Sequence, residues 1–243
     1  MSVLILSILV QVALIIHVVK TGRNQIWIWV LALLSLPGAI AYIAVEILPE
    51  LLRSRPAQRT ARGLRQAMDP GRELRRYENE TRVAGNVASR QRYAEELVRH
   101  QRYDEAIGQY REALTGLYEH DPNLMLGLAQ AQFGKGDASA ARATLDELIR
   151  QSPDFRSPAG HLLYARALEA EGNISKALEE YAVLAPSYPG AEASVRYAQL
   201  LQAQGRRAEA QKVARELLEQ ARIAPGHYRR AQRPWLDAAQ RLL

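Results

Sequence analysis

The chain has 243 residues, 48 % of them apolar, a formal net charge of +6 and no cysteine. The missing thiol excludes disulfides, thiolate metal sites and cysteine nucleophiles, and the length allows one large or two small domains. The charge is local: residues 1–52 carry Lys20, Arg23, Glu46 and Glu50, which cancel, residues 53–92 carry eleven arginines against four acids, and the remainder sums to −1.

The first elements are apolar. Residues 3–19 contain only Ser7, Gln11 and His17 as polar side chains, and residues 26–48 contain one charge, Glu46. As helices these stretches would be roughly 26 and 34 Å long, against a hydrocarbon core of about 30 Å. The short polar turn "KTGRNQ" between them predicts a two-helix transmembrane hairpin over residues 1–52, with spans at about 3–19 and 26–48. A cleavable signal peptide fits less well, because the start is not basic and no small-x-small site follows. The arginines that follow the second span place both termini in the cytoplasm and the turn outside, in a cytoplasmic (inner) membrane of bacterial type. Trp27 and Trp29 then sit at the outer interface. Pro37 should kink the second helix, and Ala32, Ser35, Gly38 and Ala41 make a small-residue stripe for close packing, with Ser35 a candidate partner for Gln11.

In "IIHVVKTGR", the tryptophans of "WIWVL" and "LPGAIAYIAVEILPEL", this stretch resembles the N-terminal two-helix segment of cardiolipin synthases of the phospholipase D type. The resemblance implies a shared anchor and no lipid chemistry. The family's catalytic signature needs a lysine two residues after a histidine, and His17, His100, His120, His161 and His227 all lack one.

Residues 53–86 read as a basic juxtamembrane helical linker. Arg53, Arg55, Arg59, Arg62 and Arg65 cluster just after the second span; Arg55, Arg59, Arg62 and Arg65 fall near one helical face, with Ala57, Ala61, Leu64 and Met68 on the other. A basic amphipathic segment there suits anionic headgroups, or only fixes topology. It lacks the interleaved aromatics of a nucleic-acid surface. Asp69-Pro70 predicts the start of a new helix.

The rest of the chain is repetitive. Ala94, Ala129, Ala165 and Ala198 are spaced by 35, 36 and 33 residues, and each is followed twelve residues later by Ala106, Ala141, Ala177 or Ala210. Turn-like stretches lie between, and Pro122, Pro153, Pro189 and Pro225 close the units. Each unit therefore reads as two antiparallel helices in contact through small residues. Such a pair cannot bury its apolar face alone, so pairs stack. The fold class is all-α: an α-solenoid of about four hairpins over 87–225 and a capping helix over 226–243. Pro122 falls four residues late, which predicts a second helix longer by about one turn in the first unit.

This pattern resembles the tetratricopeptide repeat. The resemblance implies that first helices line a concave groove for a partner segment. The groove positions are Gln91, Arg92, Glu95 and Arg99, then Asn123, Gln130 and Phe133, then Leu162, Arg166 and Glu169, then Val195, Arg196, Gln199 and Gln202. Glu95 argues against gripping a C-terminal carboxylate, and the arginines with the glutamines favour a polar or acidic partner segment. No phosphate loop, nucleophile elbow or metal motif is present, so the expectation is a non-enzymatic protein with no cofactor. His161 reads as structural, near the groove and without an orienting carboxylate. The expected function is a membrane-anchored scaffold that recruits a protein partner. The alternative is a regulatory subunit whose hairpin and arginines recognise anionic lipid or a membrane protein.

Overall fold

The computed structural model describes residues 2–21, 24, 26–47, 69 and 71–243, with side chains except those of 2–11, 35, 36 and 47. Among them every regular element is helical. The chain divides into two compact units, Met1–Arg72 and Glu73–Leu243.

The first unit holds α1 (Ser2–Thr21) and α2 (Ile26–Tyr42), the latter continued by a π-helical turn over Ile43–Ile47. Among the described residues no helix is long and apolar enough to cross a membrane. The path of α2 also differs from the expected span. The Trp27 indole donates to Glu46 Oε1 at 3.0 Å, and the Trp27 and Tyr42 ring centroids are 5.3 Å apart. Nineteen residues of straight helix would separate Trp27 from Glu46 by about 28 Å. A Cβ added to Gly38 would lie 2.5 Å from the Val30 carbonyl oxygen. The two halves of α2 are therefore folded against each other, with the bend next to Pro37. Proline removes one backbone hydrogen bond and disfavours the α region for the residue before it, which marks where a helix turns. Val18, Leu31, Ala39 and Tyr42 form the core of this unit. Of the expected small-residue stripe, Gly38 is buried, Ala41 is half-buried and Ala32 is exposed; Ser35 lies outside the described side chains, as does Gln11.

The second unit opens with α3 (Arg72–Ala84), whose Leu74 and Tyr77 join the core of the first repeat. The compact unit that holds the solenoid thus takes in α3 and begins at Glu73. Four hairpins follow: α4 (Val87–Arg99) with α5 (Tyr103–Ala113), α6 (Pro122–Lys135) with α7 (Ala138–Gln151), α8 (Pro158–Ala170) with α9 (Ile174–Leu184), and α10 (Glu192–Ala203) with α11 (Arg207–Ile223). Asn86, Asp121, Asp137 and Ser157 cap four of these helices through side-chain oxygens, and Pro122 and Pro158 occupy the first turns of α6 and α8. The eight repeat alanines have at most 1 % of their surface exposed, so the two alanine series are the contact lines of the hairpins. The late Pro122 does not lengthen α5. The helix stops at Ala113, and the surplus residues form a loop with a 3₁₀ turn over Gly116–Tyr118. The backbone at Gly116 has a φ of 58°, which an ongoing α-helix does not accommodate.

The hairpin turns share one device. Gln101, Gly136, Gly172 and Gly205 sit at equivalent places with φ of 60°, 93°, 79° and 76°. The next residue donates its amide back across the helix end in each case: Arg102 to Leu97, Asp137 to Gln132, Asn173 to Leu168 and Arg206 to Leu201. Glycine enters this conformation freely, whereas an L side chain there costs about 1–2 kcal/mol. Gln101→Gly is expected to stabilise the folded chain by about 1 kcal/mol in denaturant unfolding.

The C-terminal stretch is two short helices, α12 (Gly226–Ala231) and α13 (Arg233–Gln240), divided next to Pro234. Ala238, Ala239 and Leu242 bury against the last hairpin with Trp235 alongside, while Ala231 stays exposed. The Gln232 carboxamide accepts the Ala191 amide at 3.0 Å and so covers the start of α10.

Candidate functional site

Stacking sets α4, α6 and α8 side by side, and their inward faces enclose a trough. One part, about 380 Å³, is lined by Gln91, Glu95, Val98, Arg99, Asn123, Leu126 and Gln130, above Tyr110 and Gly127. The next, about 390 Å³, shares Val98 and Gln130 and continues past Phe133, Leu162, Arg166 and Tyr188. Side-chain amides of Gln91, Asn123 and Gln130 therefore stand along a floor of aliphatic and aromatic carbon. Of the residues expected in the groove, Gln91, Glu95, Arg99, Asn123, Gln130, Phe133, Leu162 and Arg166 are brought together here.

Six others are placed differently. Arg92 turns to α3, where its guanidinium donates to Glu80 at 2.9 Å. Glu169 accepts the Tyr181 phenol at 2.7 Å. Arg196 donates to Glu192 at 2.8 Å and lies 5.3 Å over the Trp235 ring. Gln199 and Gln202 are exposed on α10 and line neither part of the trough. Val195 is fully buried and offers a groove nothing. Arg53, Arg55, Arg59, Arg62 and Arg65 lie outside the described residues.

The charges of the trough are largely engaged. Arg166 stacks 4.8 Å over Phe133 and sits 3.8 Å from Glu192. Glu192 thus lies between Arg166 and Arg196, and a ladder runs Phe133, Arg166, Glu192, Arg196, Trp235. The groove positions expected from sequence omit Glu192, although its place four residues before Arg196 on one helix is a usable signal. Arg99 is 2.5 Å from the buried Glu96 carboxylate, and Glu95 accepts the Gln91 amide at 3.0 Å. Of the expected polar or acidic partner segment, the polar alternative is the better match: Arg92, Arg166 and Arg196 each have a carboxylate neighbour, while Asn123 and Gln130 stand exposed along the trough. The Arg166 Nε is buried and has no hydrogen-bond partner.

His161 does not line the trough itself. It faces an adjoining cavity of about 540 Å³, which shares Leu126 with the trough and is also lined by Leu145, Leu148, Phe155 and Tyr164, and its Nε2 is 2.7 Å from Glu180. That carboxylate, on α9, supplies the orienting partner that the sequence does not reveal. Burial pushes the neighbouring Tyr164 phenol up to about 12, helped by its hydrogen bond to Asp146. Among the described residues no cluster of His, Cys, Asp or Glu is arranged to hold a metal.

A stack of antiparallel hairpins, joined through small residues and open on its first-helix side, defines an all-helical solenoid of tetratricopeptide-like hairpins. Residues 97–158 match the tetratricopeptide repeat family. The fold resembles two crystal structures of MamA, one with a TM-score of 0.53 and 19 % identity over 64 % of this chain and 84 % of that one. The other has a TM-score of 0.54 and 18 % identity over 68 % and 94 %. It also resembles a thermophilic TPR protein of Thermus thermophilus, with a TM-score of 0.51 and 20 % identity over 76 % and 96 %. No curated protein matches the chain. The likeness of residues 15–51 to the cardiolipin synthase segment has no counterpart among these matches. Proteins of this repeat class are protein-interaction scaffolds and are generally not enzymes.

Proposed function

We propose that this protein is a membrane-anchored scaffold whose concave trough recruits a protein partner to the cytoplasmic face of a bacterial-type inner membrane. The main support for the trough is the row of Gln91, Asn123 and Gln130 above Val98, Leu126, Phe133 and Leu162. Amides offer both donors and acceptors, which suits the main chain and polar side chains of a peptide segment, and the carbon floor suits its apolar side chains. The engagement of Arg92, Arg166 and Arg196 by carboxylates favours a polar segment over an acidic one.

Anchoring is supported by the surface of the first unit. Val12, Ile16, Val19, Ile26, Trp29, Leu33, Leu34, Ile40, Ile43 and Val45 are all exposed, far more apolar surface than a helical pair of this size carries in water. The cytoplasmic placement rests on the arginines that follow, from Arg53 to Arg65. A tethered trough gains from high local concentration, so a modest affinity suffices.

The test is capture of partners from a detergent extract of native membranes. The double variant Asn123→Ala, Gln130→Ala removes two trough amides and no core contact. It is expected to lower capture about tenfold, the loss of one to two hydrogen bonds. Undiminished capture of every partner would show that the trough does not recruit.

A further inference from the structure

Two features of the first unit are at odds with a second helix that crosses the bilayer. The first is the fold of α2. Trp27 near its start reaches Glu46 just past its end, at 3.0 Å, and Trp27 also packs on Tyr42. The second is charge. A crossing α2 would leave Lys20 and Arg23 on the outer side, against the bias that keeps basic residues inside.

We infer that α2 is a re-entrant element: it enters one leaflet, turns next to Pro37 and leaves on the face where it entered, with the hydrocarbon of that leaflet as the occupant of its apolar surface. This deepens the anchored reading above and depends on it. The arm from Ile26 to Leu34 is about 13 Å long, close to half of a 30 Å hydrocarbon core. Leu33 and Leu34, toward the bend, are 77 % and 53 % exposed, and Trp29, Ile40, Ile43 and Val45 continue the outer apolar surface. Two pairs of polar groups find partners within the unit: Trp27 donates to Glu46, and His17 Nδ1 is 3.0 Å from the Tyr42 hydroxyl. Hydrocarbon demands that internal pairing, because nothing in it can replace a lost hydrogen bond. With α2 re-entrant, Lys20, Arg23 and the arginines from Arg53 onward all lie on one face. The interval from Arg53 to Asp69 holds too many arginines to cross by itself.

The absence of cysteine makes the test clean. Single cysteines are placed at Asn24 before α2, at Leu34 near the bend and at Arg72 after it, in the full chain. Each variant is treated with a membrane-impermeant maleimide in right-side-out and in inverted native vesicles. The expected result is labelling of Asn24→Cys and Arg72→Cys from the same side, in inverted vesicles, with Leu34→Cys unlabelled from either. Labelling of Asn24→Cys and Arg72→Cys from opposite sides would show a crossing helix and overturn re-entry while leaving the anchor intact. Recovery of the protein in the supernatant after an alkaline carbonate wash, with Leu34→Cys labelled freely, would overturn the anchor and re-entry together.

Discussion

Tyr181→Ala is expected to lower the free energy of unfolding by about 3–5 kcal/mol, the cost of removing a fully buried aromatic side chain from a core that cannot close over the gap. Tyr181 has 0 % of its surface exposed and packs among Leu162, Ala165, Leu168, Ala177 and Leu184, where the third and fourth hairpins meet. Its phenol also holds Glu169, so the variant leaves a carboxylate without its donor. Domains of this size have about 5–15 kcal/mol of stability in all, so the midpoint of urea unfolding should move far toward zero denaturant. Tyr181→Phe separates the two contributions. It keeps the ring and should cost only the charge-assisted hydrogen bond, about 1–3 kcal/mol.

The same side chain has a signature in alkali. Burial, reinforced by the bond to Glu169, raises the Tyr181 phenol well above its ordinary value, and burial raises Tyr110 as well. A group whose folded pKa is raised contributes its full stability below the unfolded value and loses it as pH climbs toward the folded one. The unfolding free energy should therefore hold steady up to about pH 10 and fall above it, where unfolded tyrosine ionises and folded Tyr181 does not. Tyrosinate absorbance of the folded chain should show the buried phenols titrating late; simultaneous titration of every tyrosine near pH 10 would contradict their packing.

Gly127→Leu is the second large effect. Gly127 is buried on α6, and a Cβ there would lie 2.5 Å from the Tyr110 ring of α5. Tyr110 is itself 2 % exposed and cannot swing aside. Helix propensity favours leucine over glycine by up to about 1 kcal/mol, but the clash drives a core aromatic off its place, at about 1–3 kcal/mol and more for a side chain of this size. The net change should destabilise the first two hairpins by about 2 kcal/mol or more, seen as earlier loss of amide protection in α5 and α6 than in α10 and α11. Gly108, where an added Cβ meets nothing within 4 Å, is the matched control and should tolerate alanine.

Much of the solenoid is legible because its signal is local and repeated. Two alanine series with one spacing, prolines at unit ends and small residues at the contact lines fix the helix pairs without any long-range information. The exceptions have physical reasons. Gln101 stands where the other turns have glycine, and only its φ of 60° reveals that the backbone device is the same. The residues before Pro122 suggest a longer α5, because a proline's position constrains the next helix and says nothing of how the surplus is folded. In the groove, a side chain's direction is legible where it follows from its own helix, as for Asn123 and Gln130, which line the trough. It is hidden where a neighbouring element claims the side chain. Arg92 is taken by Glu80 of α3, Arg196 by Glu192 and Trp235, and Glu169 by Tyr181. In the first unit Pro37 marks the place of a bend. The reversal itself depends on contacts such as Trp27 with Glu46 that no local pattern announces.

If the trough recruits, a partner must occupy it while the chain is held at the membrane. A photo-crosslinking amino acid at Gln130, in the trough, and at Arg111, exposed on α5, tests this in intact native membranes. The expected result is a discrete protein adduct from position 130, found in the membrane fraction, and none of that mass from position 111. Adducts from position 111 with none from position 130 would contradict it.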